Sequence, residues 1–187
     1  MRKLFAVGDI HGCLFKLKNL LATIEIDYGR DSIFFLGDYI DRGSDSRGVI
    51  DFMIDLKKGH DNFFCLSGNH EELFIDYLKY GSNEDTFYLN GGLNTLVSYN
   101  YPHDLSEIPK SHREFFASLK PYYETDDYIF VHAGLRPAVP FNQQVREDML
   151  WIRDVFINST YDFGKTVVFG HTPFRRPLIE ANKIGID

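Results

Sequence analysis

Residues 34–43, FFLGDYIDRG, run from three apolar side chains into a glycine, two aspartates and an arginine. Taken alone, this is a short core strand over 34–36, stopped by Gly37, with Asp38 as a turn carboxylate. The arrangement recurs along the chain. FAVGDIHG (5–12), FCLSGNHE (64–71), IFVHAG (129–134) and VVFGHT (167–172) also pass from bulky apolar residues into a metal-ligating side chain, with a glycine beside it or one residue away. Parallel strands covered on both faces read as continuous apolar runs, and the ligands of such sheets gather beyond the carboxyl ends of the strands. Five such ends therefore predict a single site at one edge of an α/β core.

The 187 residues are 44% hydrophobic and 16% aromatic, enough for one substantial core and too few for two separate ones. Twenty Lys and Arg against 27 Asp and Glu leave a net charge of -7, which argues against general nucleic-acid binding and against an anionic membrane surface. Cys13 and Cys65 are too few for a disulfide framework, and MRKLFAVGDIHG turns polar too soon to hold the apolar stretch of a signal peptide. The expected setting is the reducing cytoplasm.

Strands are predicted at 3–7, 32–36 and 62–66, alternating with the helix-patterned CLFKLKNLLATI, VIDFMIDLKK and EELFIDYLKY. Over 83–120 the pattern changes to aromatic-rich helical stretches, DTFYLNGGLNTLVSYN and HREFFASLK, parted by YPHDLSEIP. No flexible Gly/Ser linker sets this segment apart, so it reads as a helical cap inserted in a single domain spanning 1–187. Its run Phe87, Tyr88, Leu93, Leu96 and Tyr99 reads as cap core. Further strands are predicted around Tyr122 and at 128–131, 167–169 and 178–186, with REDMLWIRDVF helical between them. His60, His103 and His112, in polar stretches away from strand ends, read as surface residues. Glu71 and Glu72 read as structural, complementing a helix N-terminus.

Asp9, His11, Asp38, Asn69, His132 and His171 are oxygen and imidazole donors without a thiolate. That mixture suits manganese first, with iron, zinc, nickel or cobalt as alternatives. Six donors with two carboxylates exceed one closed site and fit two divalent ions ~3.5–4 Å apart, one carboxylate bridging them, for which Asp38 is the choice. Two such cations against Asp9 and Asp38 leave a positive pocket that awaits an anion. Arg42, shortly after Asp38, and Arg153 each offer the two-pronged donor that matches phosphate oxygens. Water held between two metals loses a proton near neutral pH, so direct hydrolysis without a serine or cysteine nucleophile is expected. His70, next to Asn69, is placed to protonate the departing oxygen, with Asp41 orienting its imidazole and favouring the charged form.

GDIHG, GDYIDRG, GNHE, HAG and GHTP, in this order between Val7 and Pro173, resemble the signature blocks of the calcineurin-like metallophosphoesterase superfamily and, within it, the phosphoprotein phosphatase family. LNGGLNTLVSY, MLWIRDVF and the HAGL form of the fourth block resemble its short bacterial and phage serine/threonine phosphatases. The resemblance implies a metallophosphatase β-sandwich of two mixed sheets flanked by helices. The later strands are then expected to form a second, mixed sheet instead of extending one parallel sheet. It also implies Asp9, His11 and Asp38 on a first metal, and Asp38, Asn69, His132 and His171 on a second. Arg42, Asn69, His70 and Arg153 would contact the phosphate, and Asp41 would pair with His70.

The implied activity is hydrolysis of phosphoserine and phosphothreonine in a protein or peptide partner. Symmetrical dinucleoside tetraphosphate hydrolases are relatives that often carry alanine where Asp41 stands and GNHD where GNHE stands. Asp41 and Glu71 favour the protein phosphatase, with a dinucleoside polyphosphate as the alternative substrate. A metal-binding interaction module without turnover is the other alternative. It predicts a damaged catalytic group, whereas His70, Asp41 and Arg42 are all present. Family members usually continue past a strand of the type IGID into a threonine-glycine turn and further strands, so a chain stopping at Asp187 is expected to have a shortened second sheet.

Overall fold

The computed structural model describes residues 2–187, in which strands and helices alternate from the start. β1 (Leu4–Val7), α1 (Leu14–Thr23), β2 (Ser32–Phe35), α2 (Ser46–Gly59), β3 (Phe63–Cys65) and α3 (Asn69–Tyr80) build two crossovers and the start of a third. These strands pair in parallel in the order β1-β2-β3, with Phe5 opposite Ile33 and Ile33 opposite Phe63. Three helices follow, α4 (Glu84–Leu89), α5 (Gly92–Ser98) and α6 (Lys110–Ser118). The rest comprises β4 (Tyr122–Glu124), β5 (Tyr128–Val131), the short helices α7 (Arg146–Trp151) and α8 (Asp154–Ile157), then β6 (Thr166–Phe169), β7 (Leu178–Ile179) and β8 (Lys183–Gly185). Its strands form a second sheet ordered β4-β5-β6-β8-β7, antiparallel at both edges and parallel through the centre. This sheet is the mixed one; the first holds parallel pairs throughout.

Strand periodicity explains why the sheets stack. Ile33 and Phe35 of β2 face the helices of the first layer, while Phe34 between them faces the opposite sheet. In the second sheet Ile129, Val131, Val167 and Phe169 pack with Met149, Ile152 and Phe156, and Phe130 and Val168 face inward. The ring centroids of Phe34 and Phe130 lie 3.7 Å apart at an interplanar angle of 2°, and Phe64 stacks on Phe34 at 4.8 Å. Both faces of each central strand are covered, hence the unbroken apolar runs.

Helix starts bring the loops of the first sheet together. α2 begins where Asp45 Oδ1 accepts the Gly48 N–H at 2.9 Å, and it ends with Lys57 and Lys58 in its last turn. At the start of α3, Glu71 accepts the Gly68 N–H at 2.9 Å. The same carboxylate accepts the N–H groups of Asp38 at 3.0 Å and Tyr39 at 2.8 Å. Glu71 is therefore structural, and it ties the loop after β2 to the helix after β3.

The helices of 83–120 share one apolar cluster with α2 and α3 through Phe87, Leu96, Tyr99, Phe115 and Phe116. Tyr88 and Leu93, in contrast to the cap-core reading, are 40% and 50% exposed on its outer side. His112 is no surface residue: it is 1% exposed, with Nδ1 2.8 Å from the Tyr99 hydroxyl and Nε2 2.8 Å from Asp51 Oδ1. It stands one helical turn before Phe115 and Phe116 and shares their inward face. His60 is half-buried and stacked on Tyr28, whereas His103 is exposed. REDMLWIRDVF is not one helix, because extended Ile152 at φ -63°, ψ 141° and Arg153 at φ -131°, ψ -105° break it between α7 and α8. The stretch predicted as one strand over 178–186 is a hairpin of β7 and β8. Among the described residues no helix is long and apolar enough to cross a membrane.

Candidate active site

Each metal-ligand candidate stands just beyond a strand: Asp9 and His11 after β1, Asp38 after β2, Asn69 after β3, His132 after β5 and His171 after β6. The backbone bends sharply there. His11, Asp38, Asp41, Arg42 and His171 adopt φ of 44°, 51°, 68°, 62° and 62°. For residues with a Cβ this left-handed region costs on the order of 1–3 kcal/mol each, so it persists only where surrounding contacts enforce it. Two glycines let the loops close on each other: Gly37 takes φ 105°, and a Cβ on Gly68 would collide with Asp38 Oδ1.

Asp38 is the hub of the cluster. Its Oδ2 lies 3.5 Å from His132 Nε2, 3.7 Å from His70 Nε2 and 3.8 Å from His11 Nε2. Asp9 Oδ2 is 4.0 Å from His11 Nε2, and the Asp9 carboxylate accepts the His171 backbone N–H at 3.1 and 3.2 Å. His132 Nε2 lies 2.9 Å from Asn69 Oδ1 and 3.2 Å from His171 Nδ1. Two groups of potential ligands share Asp38, one with His132 and His171, the other with His11 and His70. By distance alone His70 is as near to Asp38 as the histidines that the resemblance places on metals.

Hydrogen bonding identifies the lone pairs. The Nδ1 of His11 lies 2.9 Å from Ile40 O and that of His132 lies 2.8 Å from Leu36 O. A carbonyl only accepts, so both rings carry a proton on Nδ1 and, when neutral, present a lone pair at Nε2. His132 Nε2 then faces Asn69 Oδ1, a second acceptor, with no proton to lie between them. The Nε2 atoms of His11 and His171 are buried and have no hydrogen-bond partner.

The charges point the same way. Burial, followed by the Asp38 charge, holds Asp9 well above the usual carboxylate range; burial, followed by the Glu71 charge, does so for Asp38. Burial also pushes His11 down to about 3, helped by His70, and His171 down to about 2, helped by His132. Buried carboxylates short of positive charge, beside imidazoles held neutral, are the donor set that divalent cations complete. The residues fit a pair of ions sharing Asp38.

Around this cluster stand the remaining predicted residues. His70 Nδ1 is 2.6 Å from Asp41 Oδ2, and Thr95 Oγ1 is 2.5 Å from Asp41 Oδ1. Burial lifts the fully enclosed Asp41 to about 7, opposed by the Thr95 hydroxyl and the Arg42 charge. Burial and then Arg42 push His70 down to about 3, so the charged form expected beside Asp41 is disfavoured here and the imidazole is held neutral. Arg42 Nη2 lies 3.2 Å from His70 Nε2, and Arg153 Nη1 lies 3.5 Å from Thr172 Oγ1, beside His171. Both guanidinium groups belong to exposed residues at the rim. All the sequence-predicted site residues thus meet in one place. Sequence reasoning missed Thr95 and Ser46, buried hydroxyls behind Asp41, and Asp187, whose charge also raises Asp9. KIGID carries only a fragment of the signal of the other strand ends, two isoleucines around a glycine and then a carboxylate.

A family model described as calcineurin-like phosphoesterase matches residues 2–185. The chain belongs to the calcineurin-like phosphoesterase family. This phosphoesterase is 28% identical over 192 residues to serine/threonine-protein phosphatase 1 of Salmonella typhimurium, a match covering 100% of this chain and 86% of that protein. It is 33% identical over 115 residues to the symmetrical bis(5'-nucleosyl)-tetraphosphatase of Wigglesworthia glossinidia brevipalpis, covering 58% of this chain and 41% of that one. The phosphoesterase therefore spans less than half the length of this second relative. A solved structure provisionally described as a diadenosine tetraphosphatase superposes with a TM-score of 0.74 at 22% identity, over 100% of this chain and 87% of that one. The two stacked sheets with flanking helices are the metallophosphatase fold, and family membership implies divalent metal ions.

Proposed function

We propose that this phosphoesterase hydrolyses phosphoserine and phosphothreonine in proteins of the cytoplasm, using two divalent ions, manganese first, and His70 as general acid. The observation that carries the reading is the buried Asp41–His70 pair at 2.6 Å. A serine alkoxide is a poor leaving group and needs a proton as its P–O bond breaks. A tetraphosphate cut in the middle releases a stabilised phosphate anion and needs that proton far less.

Asp9, His11 and Asp38 would hold one ion, and Asp38, Asn69, His132 and His171 the other. When bound, the ions supply Lewis acidity, acidifying water and neutralising phosphoryl charge. The chain's own groups position and protonate. Arg42 and Arg153 offer paired N–H donors to the phosphate oxygens from the rim, with Asn69 and His70 deeper. Asp41 accepts the His70 Nδ1–H, which leaves Nε2 as the nitrogen that hands a proton to the departing oxygen. Nε2 now accepts from Arg42, so Arg42 turns to the phosphate when Nε2 carries that proton.

The test is a panel of phosphopeptides, nucleotides and dinucleoside tetraphosphates assayed with added manganese. Phosphoserine and phosphothreonine peptides are expected to turn over fastest. A tetraphosphate turned over faster than every peptide gives the second reading, a symmetrical dinucleoside tetraphosphate hydrolase, which the tetraphosphatase relatives favour. In the same assay excess chelator should abolish activity, and manganese should restore it better than magnesium, since imidazole ligands suit manganese. Full activity in chelator, with no metal in the protein, removes the metal mechanism.

Arg42→Ala should keep its metal content but weaken inhibition by phosphate roughly 10–100-fold, the scale of losing hydrogen bonds to a charged group. Unchanged phosphate inhibition in that variant would place the guanidinium elsewhere during turnover.

A further inference from the structure

Helix α5 of the 83–120 segment reaches the site at one buried point. Thr95 is 0% exposed, and its Oγ1 lies 2.5 Å from Asp41 Oδ1, 2.8 Å from the Asp41 backbone nitrogen and 2.9 Å from Ser46 Oγ. With the Asp41 carboxylate charged, as its acceptance of the His70 Nδ1–H requires, the donors can be assigned. The hydroxyl–carboxylate contact is too short to lack a proton and Asp41 N is itself a donor, so the single Thr95 hydroxyl proton goes to Asp41 Oδ1. The Thr95 oxygen then accepts from Asp41 N–H and from the Ser46 hydroxyl. Ser46 Oγ lies 3.1 Å from the same Asp41 N–H and shares it. Every hydrogen-bonding valence of Thr95 is spent on holding Asp41 and its own partner hydroxyl.

The consequence is directional. With Oδ1 pinned to α5, the Asp41 carboxylate can rotate no further, and Oδ2 stays aimed at His70 Nδ1, 2.6 Å away. The same segment also holds the next residue. Gly91 O accepts the Arg42 N–H at 3.2 Å, and the Asn94 side-chain amide donates to Arg42 O. Asp41 and Arg42 both sit at positive φ, 68° and 62°, so their turn is of the kind that surrounding contacts must enforce.

We propose that Thr95 is a positioning residue for the reaction: its hydroxyl sets the Asp41 carboxylate, and through it the His70 ring, in the productive orientation. This rests on the reading of His70 given above. Valine has nearly the shape of threonine without the hydroxyl, and it would leave a buried carboxylate oxygen unpaired and free to swing away.

The experiment measures Thr95→Val, Thr95→Ser, His70→Asn and the double variant T95V/H70N, with manganese, on a phosphoserine peptide and on para-nitrophenyl phosphate. T95V should keep its metal content and circular dichroism, with kcat on the peptide falling about 10–100-fold, the range for losing the supporting partner of a functional histidine, and KM nearly unchanged. The loss on the aryl ester should be smaller, and T95S should recover most of the peptide activity. In the H70N background the T95V change should cost nothing further, since its effect runs through His70. Full additivity of the two changes, or a T95S as impaired as T95V, overturns the proposal. Should H70N lose both substrates equally, the acid reading fails, and the cycle still decides for Thr95: non-additivity supports positioning of His70 in whatever role it has. If T95V does not fold, T95A replaces it; if neither folds while T95S does, the role is structural and the proposal falls.

Discussion

Asp38→Asn should cost this phosphoesterase more than any other single ligand substitution. Asparagine keeps the size of aspartate and one oxygen but loses the charge. The Nε2 atoms of His132, His70 and His11 stand 3.5, 3.7 and 3.8 Å from Asp38 Oδ2, and Asp38 belongs to both groups of potential ligands. Asp38 would be the ligand common to both ions, so removing its charge would weaken the hold on each and leave their mutual repulsion less offset. The expected result is loss of metal at both positions and a fall in turnover of at least about 10²–10³-fold, the range for removing one preorganised electrostatic group. Asp9→Asn and His171→Asn, at terminal positions, should each spare one ion and lose less. Metal content per chain decides the matter beside turnover: an Asp38→Asn protein with two ions and near-normal rate has no bridge at this residue.

His70→Asn is the second large effect, and it separates acid catalysis from metal binding. A general acid contributes typically ~10²–10⁴-fold, and most where the leaving group is poor. The variant should therefore lose that much on a phosphoserine peptide and distinctly less on an activated aryl phosphate, whose phenolate leaves unaided, with both metals retained. Asp41→Asn should show the same selectivity in weaker form, because Asp41 touches only the far nitrogen of the ring. The distance of 3.7 Å between His70 Nε2 and Asp38 makes the metal analysis essential. Loss of an ion would make His70 a ligand, and equal losses on both substrates would place it on the phosphoryl group or the nucleophile.

The gathering of the candidate ligands was legible because it follows a rule of architecture: strands that end in glycine and a polar donor bring those donors to one edge. Motifs as distant as GDIHG and GHTP could be placed together on that ground alone. What stayed hidden depends on contacts that no local pattern encodes. Lys183, in the polar-looking EANKIG, is fully buried, and its ammonium donates to the carbonyls of Phe156, Ile157 and Ser159 at 2.8, 2.9 and 2.5 Å, closing the end of α8. Thr95 looks like any helix threonine until Asp41 is placed beside it. His112 was readable in principle, since it precedes Phe115 and Phe116 by the spacing of one helix face, but its neighbours Ser111, Arg113 and Glu114 mask the pattern. The left-handed turns at His11, Asp38 and His171 were not readable, because such conformations in residues with side chains arise from tertiary closure and not from propensity.

The site also lies on the seam of the sandwich. Asp9, His11, Asp38 and Asn69 follow strands of the first sheet and His132 and His171 follow strands of the second, with Asp9 and His171 in contact across 162 positions of chain. An ion held among them is a rivet through both layers, and its binding energy enters the free energy of unfolding. Melting temperatures of variants at this seam consequently report the free-metal activity of the buffer together with the packing of the protein. Two such proteins are comparable in thermal stability only when that activity is buffered to the same value.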